Sequence, residues 1–150
     1  MSVRAGTSRH LNKADALLAA LAVATVALLA IDAYVHLHDA HLYDTPAGGS
    51  ITQASLFRAE AGVAIVVAIV LLISRHWIAW LIAALVAGSA AAAVFVYTNI
   101  DVGSIGPLPN MYEPTWALPG KRLSAIAEIA AFVIAVIGLI VSLRLRRNAR

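Results

Sequence analysis

Asp32, His36, Glu60 and Glu128 are ionisable side chains set inside long apolar runs, and their types define the chemistry open to this chain. Carboxylates with an imidazole and no thiolate form a donor set for a borderline divalent cation such as zinc. The same groups could also serve as a general acid and base. The stretch 32–44 adds His38, Asp39 and His41, giving an HxHxxH pattern. At about 100° per residue, Asp32, His36, Asp39 and Tyr43 share one helical stripe, with Tyr34, His38 and His41 nearly opposite. The spacing thus predicts His36 and Asp32 facing the interior together, and no three-histidine site.

These groups must be positioned by membrane helices. The chain is 61% hydrophobic and 13% charged, whereas charged residues make up about a quarter of ordinary soluble domains. Apolar runs at about 14–37, 54–74, 77–97 and 123–143 each approach the roughly 20 residues that a span needs. The expected fold is all-α and integral to the membrane: a four-transmembrane-helix antiparallel bundle forming one domain over residues 1–150. The first run exceeds the roughly 7–15 apolar residues of a signal segment, so it is expected to remain as a span. Ser74, Arg75 and His76 leave room only for a tight hairpin between the second and third spans. Ala84, Gly88 and Ala92, and then Ala127, Ala131, Ala135 and Gly138, predict close helix approach through small residues. That approach occurs within one chain or between copies in a homo-oligomer. Trp77 and Trp80 are expected at the membrane interface, where amphipathic rings concentrate.

Orientation follows from charge. Eight of the eleven basic residues flank one side: Arg4, Arg9, Lys13, Arg75, Arg144, Arg146, Arg147 and Arg150. The positive-inside rule then puts both termini in the cytoplasm. The terminal Arg run reads as a topology anchor on anionic headgroups, so the net charge of +3 is no argument for nucleic acid. The excess of Arg over Lys and the high Ala content suggest a bacterial chain, hence the bacterial inner (plasma) membrane.

The acids crowd the outer half. Measured from the outer boundary, Asp32 lies about 9 Å inside, Glu60 about 6 Å and Glu128 about 8 Å. A charge in the hydrocarbon core costs at least about 2.5–3.5 kcal/mol, so such groups face inward and are paired. Arg58 is the nearest cation and the expected counter-ion. The outer loop 98–122 carries Pro107, Pro109, Pro114 and Pro119, and is expected to order as a cap, with Asn99, Asp101, Tyr112 and Trp116 contributing to the site.

Three functions fit these features. The first is a binding or accessory protein whose outer site takes a cation or small ligand, or docks a membrane complex. The second is a proton- or ion-coupled transporter; the inner half offers only Thr25 and Ser89 as polar steps, and a homodimer could complete a path. The third is an enzyme acting on a lipid or quinone; the chain has no nucleophile motif, phosphate loop or HExxH, which argues against catalysis. Absence of cysteine removes disulfide and thiolate chemistry. A bis-histidine haem is disfavoured because His36 and His76 lie at opposite membrane faces. In size the chain is similar to DoxX-like and small multidrug-resistance membrane proteins. The latter carry a working Glu in their first span, where this chain has Asp32 near the outer edge, and no residue role is transferred from either family.

Overall fold

A computed structural model describes residues 3–118 and 120–148, with side chains from residue 13 onward. Pro119 and Arg150, and the side chains of Arg4 and Arg9, lie outside the described residues. The elements are α1 (Val3–Asp39), a 3-10 turn (Ala40–Tyr43), α2 (Gln53–Ile73), α3 (Trp77–Asn99) and α4 (Lys121–Asn148). Among the described residues there is no sheet, only an isolated bridge between Ile105 and Leu108. All four helices are long and apolar enough to cross a membrane. Much of α2 is Val and Ile, which are mediocre helix formers in water. In lipid the backbone has no water to bond, so such a segment must satisfy its polar groups within the helix. Accordingly, large apolar side chains point outward, as with Ile73 at 80% exposure and Ile126 at 65%.

The helix ends are set locally. Thr52 caps α2 by accepting from Ser55 N at 3.2 Å, and His76 Nδ1 caps α3 by accepting from Ile78 N at 3.4 Å. α1 packs on α2 and α4, and α3 packs on α4, while α2 and α3 share the smallest interface of the neighbouring pairs. The end carrying the 74–76 turn is the hairpin end; the end carrying both long connections is the loop end.

Small residues build the α3–α4 seam. Ala127, Ala131 and Ala135 are buried, as expected. Gly88 lies against Phe132, where a Cβ would come 2.8 Å from the ring. Ala92, by contrast, is exposed. Trp80 departs from its expected interfacial place. Its ring is fully buried and lies over Gly138, so closely that a Cβ there would overlap it. The glycine opens a slot that only the folded register of α3 on α4 reveals. Trp77 does lie near a cation, with the Arg146 guanidinium 5.7 Å from its ring centre.

At the loop end the two connections are joined by backbone bonds. Ile51 N donates to Pro107 O at 3.1 Å, and Asn110 N donates to Ala47 O at 2.8 Å. Glu113 N donates to Tyr97 O at 2.9 Å, tying the long connection to the end of α3. Asp101 Oδ1 accepts from Gly103 N and from Asn110 Nδ2, both at 3.0 Å. Gly120, with φ +81°, leads into α4.

Candidate functional site

Helix α1 places Asp32 and His36 one turn apart. His36 Nδ1 stands 3.1 Å from the Asp32 main-chain oxygen and 3.1 Å from Asp32 Oδ1. A carbonyl oxygen only accepts, so this nitrogen donates to it. From α2, Glu60 Oε2 lies 3.7 Å from the same nitrogen. From α4, Ser124 Oγ lies 2.6 Å from Asp32 Oδ1 and 2.9 Å from Glu128 Oε1. One hydroxyl carries one hydrogen, so filling both bonds at once takes a proton from a carboxyl. Asp32, Ser124 and Glu128 are all buried.

The three acids of three helices therefore form one group, but in two parts. Asp32, His36 and Glu60 each offer a donor atom, all within 4.8 Å of one another. Glu128 stands outside this triad and joins it through Ser124. Two carboxylate oxygens, Glu60 Oε2 and Glu128 Oε2, are buried with no hydrogen-bond partner. Among the described residues no Lys or Arg pairs with these acids.

Above the acids lies a cavity of about 350 Å³. His36, Glu60 and Glu128 line its deep end. Apolar groups such as Leu56, Phe57 and Val94 form its sides, and Met111, Glu113 and Lys121 reach it from the loop end. Phe57 is held in place by aromatic contacts, 4.9 Å from the His36 ring and 5.1 Å from that of Tyr43. Asp39 and Tyr43 also line the cavity, whereas Tyr34 and His38 of α1 and His41 of the 3-10 turn are exposed.

Arg58, expected as the counter-ion, is placed elsewhere. It bonds Asp44 through two contacts of 3.1 and 3.3 Å, with both side chains at least half exposed. Exposed pairs contribute about 0–1 kcal/mol. Arg58→Ala should therefore shift the unfolding free energy by less than about 1 kcal/mol in a denaturant titration. A larger loss would mean that Arg58 supports the buried acids after all.

The expected loop contributors are not among the residues that line the cavity. Asn99 is exposed and donates to Phe95 O at 2.7 Å. Asp101 organises the connection, as described above. Trp116 packs on Phe95 at 5.8 Å and lies under Lys121 Nζ at 5.2 Å. Neither these residues nor Tyr112 lines the cavity. Their places are taken by Tyr97, Thr98, Met111 and Glu113. Lys121 is anchored by the loop, its ammonium donating to Glu113 O and, at 3.0 Å, to Thr115 O. Ser124 is not among the expected site residues, although it lies one helical turn before Glu128 and so shares its face. Compared with known proteins, the chain matches no family model, no curated protein and no solved structure.

Proposed function

We propose that this is a membrane-embedded binding protein whose acid–imidazole site, near the loop end, takes a cation. The observation that carries this reading is the set of three carboxylates from three helices, those of Asp32 and Glu128 buried and that of Glu60 half-buried. Among the described residues only His36 offsets them, and two of their oxygens lack a donor at the base of a cavity. A bound cation would supply the missing charge and the missing partners together. The Asp32, His36 and Glu60 triad, with Glu128 behind it, has the donor types for zinc or a similar divalent ion.

In this reading the whole chain is one four-helix domain, and the site faces outward. Arg75, Arg144, Arg146 and Arg147 gather at the hairpin end, which supports a cytoplasmic location for both termini and a bacterial inner-membrane setting. The connection 98–122 acts as a cap over the cavity; its backbone bonds to Ala47, Ile51 and Tyr97 support that role. Transport receives less support. Thr25 spends its hydroxyl on Leu21 O within its own helix, and Trp80 fills the hairpin end.

Elemental analysis and calorimetric titration on detergent-purified protein test this reading. Wild type is compared with the Glu60→Gln/Glu128→Gln double variant, using Zn²⁺ and, separately, an organic ammonium ion. Saturable binding of either cation by the wild type alone is the expected result. No binding of either would remove the cation reading altogether.

A further inference from the structure

We propose that the occupant is a small lipophilic amine, its ammonium seated on Glu60 and Glu128 and its apolar body lying along Phe57. This builds on the cation reading and names the ligand's class.

Size comes first. A dehydrated ion with one or two waters, each occupying about 30 Å³, would leave most of the cavity of about 350 Å³ empty. That volume instead falls within the roughly 300–1,000 Å³ of small-molecule pockets. The walls agree with this. Leu56, Phe57 and Val94 offer nothing to a hydrated metal, while they suit a hydrocarbon body. The deep end offers the complement of an ammonium head, which carries only donors. Glu128 is 2% exposed, and its Oε2 has no partner while the side chain lines the cavity; Glu60 is half-buried, and its Oε2 also lacks a hydrogen-bond partner, standing 3.7 Å from His36 Nδ1. The Phe57 ring adds a face of negative potential on which a cation is attracted.

Competing occupants of the same charge are accounted for. His36 Nδ1 is engaged with the Asp32 carbonyl oxygen, so in this arrangement that nitrogen donates, and a metal could meet this ring only through Nε2. Lys121 is engaged with two loop carbonyls and does not bond the deep acids.

The test uses full-length protein in lipid nanodiscs. The probes are 2-phenylethylammonium, the neutral 2-phenylethanol of nearly the same shape, and Zn²⁺ alone. The amine should bind saturably and at least about tenfold more tightly than the alcohol, a difference of about 1.4 kcal/mol. Glu60→Gln/Glu128→Gln should abolish that preference. Ala93 lines the cavity wall, and Ala93→Trp adds bulk there while every acid is kept, so it should weaken the amine and spare any Zn²⁺ binding, even if the double variant fails to fold. Equal binding of amine and alcohol, or an amine preference that survives in the folded double variant, overturns the proposal. If Zn²⁺ binds while the amine shows no preference, the amine is wrong and the cation reading stands. If neither cation binds, both fall.

Discussion

Glu128→Gln should melt at a higher temperature than the wild type and bind cations at least about tenfold more weakly. The carboxylate is buried, one of its oxygens has no partner, and the Asp32 carboxylate shares the Ser124 hydroxyl with it. A charge taken out of water without a partner costs several kcal/mol, and Gln removes that cost. Gln keeps an oxygen for the Ser124 contact, now 2.9 Å from Glu128 Oε1, and its new N–H groups meet a neighbourhood rich in acceptors. Function pulls the other way, because the removed charge is the one that would hold a cation. A gain in stability with a loss of binding is the signature of a site kept under strain for use. Thermal unfolding in detergent, followed by near-UV circular dichroism, gives the first quantity; calorimetry gives the second. A fall in melting temperature would mean that the acids serve to pin the helices in register.

Gly120→Ala should cost about 2–4 kcal/mol, combining a left-handed backbone with overpacking. At φ +81° the residue adopts a conformation that side chains with a Cβ avoid. A Cβ there would also run into the Asp39 carboxylate, and would lie 2.7 Å from Val35 Cγ1. This contact brings Asp39, at the end of α1, against the start of α4, where the exposed N–H groups of a helix favour negative charge. Pushing α4 away from α1 would also move Ser124 and Glu128 relative to Asp32. The variant should therefore lose both stability and binding, in contrast with Glu128→Gln. Urea titration alongside calorimetry checks this, and a variant as stable as the wild type would refute it.

The spans were legible because lipid imposes a crude requirement, about 20 apolar residues, that composition alone reveals. The stripe of Asp32, His36 and Asp39 was legible because helical rotation is regular, and Tyr43 reaches the same cavity from the 3-10 turn. Neighbouring positions were harder. Arg58 stands two residues before Glu60, about 200° around the helix, so equal depth did not mean equal facing. Asn99 is exposed whereas Thr98, one residue earlier, is buried. Irregular backbone is harder still. Tyr112 and Trp116 lie in a connection without helical period, and their facing depends on bonds such as Glu113 N to Tyr97 O. Trp80 needed the register of α3 on α4, which brings it to a glycine 58 positions away in the chain.

The slot at Gly138 has a consequence for traffic. With the indole of Trp80 wedged there, and Leu71 and Ala135 fully buried in the same core cluster, the described residues close the hairpin end of the bundle. A ligand of the proposed site would then leave by the route it arrived, and its occupancy would track the concentration on one side of the bilayer, as in a gauge or a reservoir. The turnover of such a reservoir would be governed by the joined connections at the loop end, and the helices would not need to rock.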